Sequence, residues 1–499
     1  MSGSFVRSRT SGVLRADPRR TVARLFVPGQ ELLLHGHSRL NPVLERVLAM
    51  PGEVMAATLG STLARYEGRH RDLPALFRHN FDLVAHRLGA TLDMSETARL
   101  LVGSYFTHEY AVEAAALFNP SIVPHPDQRG LAAGALRVVI SARGVGEGHL
   151  SSIEFRTGVL DADGGLRVDD AGRDLHLAER LEAPFAKQQI RRALTDVDND
   201  GEDATFVLDS LPDPFTIGDL DILLGLLWDQ QITRHAATRT IDQLRFIAAC
   251  NYTTRFPSGS AIGERVLMPS APTETHGMED ARFVRFTDDD GSVAYHATYT
   301  AFDGTDVTPQ LLTTTDFETF RSAQLTGPAA TNKGMALFPR RIGGRYAALS
   351  RWDRENTSVA FSDELHSWRD AITIQRPEQT WELIQIGNCG SPIETPRGWL
   401  VLTHGVGPMR EYAIGAILLD LDDPARVIGR LPEPLLTPTE SERDGYVPNV
   451  VYTCGALAHG DRLVIPYGAA DSAIGVAVID LPPLLDALCS AGVAAHAGR

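Results

Sequence analysis

Apolar residues along the chain follow two different spacings, one helical and one typical of short strands. Between about residues 41 and 117 they recur every three or four positions, which predicts amphipathic helices. Pro74 opens one such helix in its first turn, and Gly89 marks its end. Asp93 followed three positions later by Glu96 has the form of a capping box and predicts the start of the next helix. Helices therefore precede the main body of the chain.

The spacing changes at Phe118, where short β-type runs begin. Runs such as residues 136–141 are bounded by Gly, Asp and Pro, the residues that favour turns. A second helical stretch at about 177–248 interrupts this pattern, which then continues from about 250 to 480. We therefore predict an all-β domain over 118–485 that carries a helical insertion. Residues 1–117 form an N-terminal arm and helical region, with the arm over residues 1–40, and residues 486–499 form a C-terminal tail.

Acidic turn residues recur after apolar strands at spacings of roughly 45–60 residues, as at Asp316, Asp363, Asp422 and Asp480. This interval is near the length of a propeller blade of four strands. The repeat therefore favours a β-propeller, with a β-sandwich built from similar hairpins as the alternative.

Charge and cysteine content narrow the classes of partner. Lys and Arg total 47 against 63 Asp and Glu, a net charge of −16, and nucleic acid or an anionic membrane is bound by a basic surface. We therefore expect neither partner, although one bound phosphate needs only a local basic cluster. The four cysteines are widely spaced, which is typical of a reduced compartment. No apolar window approaches the length of a membrane span, and the N-terminus lacks the apolar stretch of a leader. We therefore expect a cytoplasmic protein.

One segment resembles a metal site. Residues 196–201 read DVDNDG, the opening of an EF-hand loop, but the twelfth position, where the loop needs a bidentate Glu, holds Val207. We expect a solvated acidic loop rather than a calcium site.

Acidic and polar residues collect in several turn-like segments, at 275–283, 388–395, 403–406 and 440–449. Loops at one rim of a propeller converge on its central funnel, so these segments are candidates for one acidic pocket. Two carboxylates facing a sugar are able to cleave a glycosidic bond, one as acid and the other as base or nucleophile. The alternative for any single acid is a solvated or capping role.

Several segments taken in order resemble glycoside hydrolase family 130. They include Phe118-Asn119-Pro120, Gly277-Met278-Glu279-Asp280-Ala281-Arg282 (where the family commonly has Pro before the Arg), 300–304, 332–339, 398–406, 415–424, 447–451 and 467–471. The resemblance implies a five-bladed propeller that acts on β-mannosides, with short β-1,2- or β-1,4-linked oligosaccharides as the expected substrates. The helices of residues 1–117 and 177–248 lie outside the family core. They are candidates for an oligomer interface or for a cover over the funnel.

Residue roles follow from the same resemblance. Asp280 matches the aspartate that donates the proton, through a hydroxyl of the bound mannose. We also expect substrate contacts from residues Asn119, Arg143, Glu279, Arg282, Asp303, Lys333, His404, Tyr446, Asn449 and Asp471. No metal or organic cofactor is implied, and the partner is a β-mannoside oligosaccharide.

Two routes complete the displacement. In a hydrolase, Glu394 or Glu442 activates water as the base. In a phosphorylase, inorganic phosphate is the co-substrate and is held by Lys333, Arg351 and His404, although Lys333 replaces a more usual Arg and Gln385 a more usual Lys. We favour inverting hydrolysis, with an inverting phosphorylase that releases mannose 1-phosphate as the alternative and a non-catalytic glycan-binding propeller as the second alternative.

Overall fold

The structure is a computed structural model that describes residues 5–28, 40–85, 94–182, 184–197, 200–229 and 234–491. The chain divides into two compact units. The smaller unit comprises Asp17–Ala114 with Gly172–His176, and the larger comprises Met1–Ala16, Ala115–Ala171 and Leu177–Arg499.

The smaller unit is mainly helical. Its elements are β2 (Thr21–Leu25), α1 (Leu40–Leu48), α2 (Gly52–Tyr66), α3 (Leu73–Ala85), α4 (Glu96–Tyr105) and β3 (Thr107–Ala111). One face of each helix is buried around Leu44, Phe77 and Leu101, as the helical spacing predicts. The cap of α4 is Ser95, whose hydroxyl accepts from the Ala98 N–H; Asp93 and Gly89 lie outside the described residues.

Within the described residues, no single helix is long and apolar enough to cross a membrane. Helices α1 and α2 pass that test only as a pair, and the chain bends by 114° between them.

The larger unit is mostly β, and its main strands fall into five antiparallel groups, the first two of which are joined in one twelve-stranded sheet. They are β4 (Ala116–Pro124), β5 (Leu136–Val145), β6 (Ser151–Leu160) and β7 (Leu166–Val168); β12 (Gly277–Thr287), β13 (Val293–Phe302), β14 (Val307–Thr314) and β15 (Thr319–Gln324); β16 (Ala336–Leu337), β17 (Tyr346–Ser350), β18 (Thr357–Ser362) and β19 (Ala371–Gln375); β20 (Gln385–Asn388), β22 (Gly398–Val406), β23 (Tyr412–Leu419) and β24 (Val427–Arg430); and β25 (Val451–Tyr452), β27 (Arg462–Ala469), β28 (Ala473–Asp480) and β1 (Val6–Arg15). The remaining short strands are β8 (His176–Leu177), β9 (Glu179–Leu181), β10 (Tyr252–Arg255), β11 (Arg265–Leu267), β21 (Ile393–Thr395) and β26 (Leu457–His459). The predicted mostly-β organisation with helical additions is confirmed. The number of blades stays a prediction, because strand pairing within each group does not show how the groups surround an axis.

Strand β1 is the last strand of the fifth group, although the sequence suggested an extended arm there. It pairs antiparallel with β28, with Val6 opposite Ile479 and Arg15 opposite Ala473. The Arg9 guanidinium donates to the Glu442 carboxylate and, at 3.0 Å, to the Tyr467 hydroxyl. The two ends of this unit are therefore joined by a full strand ladder and a partly buried ion pair.

The helical insertion has its own core. Helices α5 (Lys187–Asp196), α6 (Glu202–Ser210), α7 (Ile217–Asp229) and α8 (Arg234–Cys250) pack around Leu194, Phe215 and Leu244. Two residues of the EF-hand-like segment, 198 and 199, lie outside the described residues. The flanking acids have protein partners, since Asp196 accepts from the Gly327 N–H and Asp200 from the Thr195 hydroxyl.

At the C-terminal end, the region expected as a tail begins inside helix α9 (Leu481–Ala491), whose Leu484 and Leu488 are fully buried. Burial of this apolar face explains why the residues before 492 are helical.

Candidate active site

Four polar residues of the candidate site have an unusual backbone conformation. Asn119, Asp280, Asn449 and Asp471 all have left-handed backbone angles, with φ between 50° and 61°. The ladder of β12 with β13 shifts register between Glu279 and Arg282, so a bulge re-aims the Asp280 side chain. Asn and Asp tolerate this conformation better than most residues, and such strain clusters at functional sites.

Asp280 is held in place by one amide and influenced by several cations. The Asn119 side-chain amide donates to Asp280 Oδ1 at 2.8 Å, and Arg143 Nη1 lies 3.6 Å from the same oxygen. Burial favours the neutral acid, but the charges of Arg143, Arg282 and Lys333 outweigh it and hold the pKa of Asp280 below its usual value. The unliganded site therefore holds Asp280 as a carboxylate.

Glu279, next in the chain, joins two cations beside Asp280. Its carboxylate accepts from Arg143 Nη2 at 2.7 Å and from Lys333 Nζ at 2.6 Å. Arg143 also donates from Nε to the Ser151 hydroxyl at 2.9 Å. Lys333, which the sequence suggested as a phosphate ligand, is thus paired with Glu279.

Arg282 extends the site inward. It is only 3% exposed, and it donates to the Asp280 carbonyl at 3.2 Å and to the Tyr452 hydroxyl at 2.8 Å. Its Nε is buried and has no partner among the described residues. Tyr452 was missed by sequence reasoning, because a tyrosine in a short apolar strand looks like an ordinary core residue.

Arg351 and His404 adjoin this group through Tyr452, whose ring meets the His404 ring edge-on at 5.1 Å. Arg351 Nη1 lies 3.2 Å and Gln385 Nε2 lies 3.3 Å from His404 Nε2. Burial, followed by the charges of Arg351 and Arg282, places the pKa of His404 well below its usual value. A neutral His404 therefore accepts these donors at Nε2.

The site has more positive than negative charge. Neither Arg282 nor Arg351 forms an ion pair with a carboxylate in the part of the chain that the structure describes. Burial lowers the pKa of Arg351, as expected for a cation without a partner. The four cations Arg143, Arg282, Lys333 and Arg351 face two ionised carboxylates, Glu279 and Asp280, so positive charge is in excess.

Asp471 is a third acid close to Asp280. Its Oδ1 is buried without a partner among the described residues. Burial, followed by the negative charge of Asp280, raises the pKa of Asp471 to about 7. At neutral pH this carboxyl is therefore partly protonated and able to donate a hydrogen bond.

Other residues suggested by the sequence have different surroundings. Asp303 accepts from the backbone N–H groups of Thr305 and Asp306 within its own turn. The Asn449 amide oxygen accepts from Arg443 Nη1 at 3.3 Å. Neither contact involves the Asp280 cluster.

The two glutamates suggested as bases are not grouped with Asp280 by any contact in the described residues. Glu394 is 44% exposed in its side chain and accepts two bonds from Arg340, at 3.0 and 2.7 Å. Glu442 is buried and accepts from Arg9, from the Tyr467 hydroxyl at 2.6 Å and from Thr439. These partners assign both glutamates to structural ion pairs.

Comparisons with known proteins find sequence relatives of this chain. A family model described as beta-1,4-mannooligosaccharide phosphorylase matches residues 259–490. A 1,2-beta-oligomannan phosphorylase of Thermoanaerobacter sp. (strain X514) is 38% identical over 228 residues, which cover 44% of this chain and 74% of that protein. A beta-1,2-mannobiose phosphorylase of Listeria innocua is 35% identical over 217 residues, 42% of this chain and 59% of that protein.

A solved structure of the beta-1,2-mannobiose phosphorylase from Listeria innocua, in complex with beta-1,2-mannobiose, is 22% identical with a TM-score of 0.44. It covers 76% of this chain and 93% of that chain. The sequence relatives place the protein among carbohydrate-active enzymes, as a glycosidase or a glycoside phosphorylase. More particularly, the chain belongs to glycoside hydrolase family 130, as its motifs predicted.

Proposed function

We propose that this enzyme is an inverting β-mannoside phosphorylase that transfers mannose from a β-1,2-linked oligosaccharide to inorganic phosphate. Hydrolysis was the route favoured from the sequence, and phosphorolysis was its alternative. The relatives named above as phosphorylases support the alternative. So do the contacts of Glu394 and Glu442, which leave neither glutamate beside Asp280 as a base for water.

The observation that carries the proposal is the pair of guanidinium groups without carboxylate partners, Arg282 and Arg351. A buried charge is costly unless it is paired, so such a pair favours an anion between or beside them. Each Nε is buried with no partner among the described residues. Guanidinium forks suit the oxygens of phosphate, and the excess of positive charge in the site favours an anion.

The proposed reaction needs three elements around the anomeric carbon. Phosphate held by Arg282 and Arg351 attacks C1 from the face opposite the glycosidic bond, while neutral His404 orients Arg351 by accepting from its guanidinium. The C1–O bond to the leaving sugar breaks, and its oxygen receives the proton of Asp280 through a mannose hydroxyl. A β-mannoside then yields α-mannose 1-phosphate, because one displacement inverts C1.

Phosphate binding also has a role in preparing Asp280. The positive charges of Arg143, Arg282 and Lys333 keep Asp280 ionised in the free enzyme. A bound phosphate dianion would offset this charge and raise the pKa of Asp280. Protonation of the acid is then coupled to arrival of the nucleophile, which disfavours attack by water when phosphate is absent.

Gln385 supports the anion site in a different way from the Lys that the family resemblance implies. Its amide lies 3.3 Å from His404 Nε2, so it helps to hold the ring rather than adding a charge.

The same proposal includes a five-bladed propeller. A cavity of about 360 Å³ is lined by the far ends of β4 and β12 and by the segments that follow β16, β20 and β25. The first strand of every group, or the segment directly after it, therefore contributes to one cavity, an arrangement that supports five blades around a shared axis. Asn119, Asp280 and Gln385 lie at or near the starts of three of these strands.

The test is the dependence of initial rate on phosphate with β-1,2-mannobiose as substrate. We expect sugar release to saturate with phosphate concentration and to be negligible without it. Replacement of Arg351 by Met should raise the KM for phosphate by about 10- to 100-fold, because a hydrogen bond to a charged group contributes about 1.5–3 kcal/mol.

Mannose release at the same rate in phosphate-free buffer would instead indicate a hydrolase. A folded protein that binds mannobiose without turnover would indicate a glycan-binding propeller.

A further inference from the structure

Three aromatic side chains cluster beside the candidate active site, and we call this cluster the aromatic wall: Phe118, His149 and Tyr446. The Tyr446 ring lies 6.4 Å from the Phe118 ring and 6.1 Å from the His149 ring, with interplanar angles of 34° and 32°. The three rings are therefore only moderately tilted against each other. Tyr446 is 45% exposed, so folding leaves one large aromatic face open to solvent.

The aromatic wall is continuous with the catalytic residues. The Arg143 guanidinium lies over the Phe118 ring at 5.3 Å, and the same side chain contacts Glu279 and Asp280. Phe118 also precedes Asn119, which donates to Asp280. Phe118 is 3% exposed and Tyr446 is 45% exposed, so the wall rises from the buried acid towards the rim.

Two loops are fixed in place to build the wall. The Tyr446 hydroxyl and His149 Nδ1 are 2.9 Å apart, which joins the loop after β5 to the loop before β25. The Tyr446 N–H donates to the Ser472 hydroxyl at 2.6 Å. His149 has a left-handed φ of 60°, and its N–H donates to the Gly146 carbonyl. Because both loops are bonded, the wall exists before substrate binds.

We propose that the aromatic wall binds the leaving sugar of the substrate, the mannose on the far side of the cleaved bond. The inference rests on the proposed function. The attacked mannose has to lie deep, at Asp280, so the next sugar along the chain lies further out, where Tyr446 is exposed. The C–H face of a pyranose fits an aromatic ring, whose face carries partial negative charge.

His149 adds a polar contact to this surface. When the Tyr446 hydroxyl donates to Nδ1, the proton of the neutral imidazole is on Nε2. Nε2 has no hydrogen-bond partner among the described residues. This N–H is then available to donate to a hydroxyl of the leaving sugar, and His149 would set which hydroxyl positions are accepted.

The experiment runs the reaction in the synthetic direction, with mannose 1-phosphate as donor and mannose as acceptor. Tyr446→Ala should raise the acceptor KM by about tenfold, as expected for loss of an aromatic contact, and leave the KM for mannose 1-phosphate unchanged. Tyr446→Phe keeps the ring and should raise the acceptor KM only a few fold. Tyr105→Ala, which removes an exposed tyrosine of the smaller unit, is the matched control.

A binding measurement separates this inference from the proposed function. Saturation-transfer NMR with β-1,2-mannobiose reports which of its two sugars contacts the protein. In phosphate-free buffer a phosphorylase does not cleave the mannobiose during the measurement. In Tyr446→Ala the signals of the reducing-end mannose should fall while those of the other mannose persist. An equal loss of NMR signal on both sugars would overturn the proposed role of the aromatic wall. So would an equal rise of the KM values for acceptor and for mannose 1-phosphate. Free mannose accumulating in that buffer would overturn only the proposed function.

Discussion

Asp280 combines a strained backbone, an amide partner and three nearby cations, and each has a separate consequence. The left-handed φ of 56° and the bulge in β12 orient the carboxylate, and Asn119 fixes one of its oxygens. The cations lower its pKa. A residue that is both positioned and electrostatically controlled suits general acid catalysis.

Replacing Asp280 by Asn should lower kcat by about 10²- to 10⁴-fold, the usual contribution of a general acid. Binding of β-1,2-mannobiose should persist, because the amide oxygen still accepts from Asn119. Asp290→Asn is the control, since Asp290 lies in an exposed hairpin turn where it accepts only from Ser292. Steady-state kinetics and calorimetry measure both effects, and an Asp280→Asn variant with normal kcat would remove the acid assignment.

Asp471 predicts a pH dependence of stability. Its pKa is about 7 in the folded protein, against an ordinary value of 3.8. The unfolded chain therefore loses this proton first as pH rises, so stability falls from about pH 4 to pH 7 and then levels off.

The side chain of Asp471→Asn cannot ionise, so this variant should lack the fall in stability with pH. The fall amounts to about 1.4 kcal/mol of unfolding free energy for each unit by which the pKa is raised. Denaturant unfolding at pH 4, 5.5, 7 and 8 measures it. Parallel pH curves for the variant and the natural protein would contradict the raised pKa.

The sequence predicted site residues unevenly, for physical reasons. Glu279, Asp280 and Arg282 fall within one strand, so a short motif was enough to find them. Glu394 and Glu442 resemble catalytic acids in sequence, but their roles depend on Arg340 and Arg9, which are distant in the chain. Tyr452 carries no polar pattern, and its importance comes from contacts with Arg282 and His404.

At the scale of elements, strand β20 depends on a glycine for the shape of the anion site. A Cβ at Gly387 would lie 2.6 Å from His404 Cε1 and 3.1 Å from Arg351 Cδ. Gly387→Ala should therefore displace both side chains and raise the KM for phosphate by at least about tenfold. Gly225→Ala, in helix α7 with no atom within 4 Å of the added Cβ, is the control. Unchanged phosphate kinetics in Gly387→Ala would contradict this anion site.

Strand β1 and Glu442 give a prediction about stability. Glu442→Gln and Arg9→Met each break the same partly buried ion pair between β1 and the fifth group. Either change should lower the free energy of unfolding by about 1.5–3 kcal/mol, while kcat with phosphate stays within about twofold. A large loss of kcat in Glu442→Gln alone would restore Glu442 as a catalytic base.

The helices were predictable from the spacing of apolar residues, because the apolar face of a helix is formed by residues close together in the chain. Strand β1 escaped prediction because its sequence alternates Arg, Ser, Thr and Gly, and its partner, β28, lies more than 450 residues away. The sequence predicted Asp93 as the cap of α4, whereas the structure has Ser95 as the cap. A serine hydroxyl caps a helix as well as an aspartate does.

At the scale of the whole molecule, charge is distributed unevenly. The chain carries a net charge of −16, yet the active site has a surplus of cations around Arg282 and Arg351. Overall charge and the local charge around these two arginines therefore differ in sign, and only the local charge bears on the proposed phosphate site. The repeat of acidic turns favoured a propeller; the mostly-β content of the larger unit is confirmed, and the number of blades stays a prediction.

Stoichiometry with β-1,2-mannobiose tests the central claim most directly. The account predicts that each mannobiose cleaved consumes one phosphate and yields one mannose and one mannose 1-phosphate, whose first-formed anomer is α by proton NMR. Two mannose molecules per mannobiose, with no phosphate consumed, would contradict it.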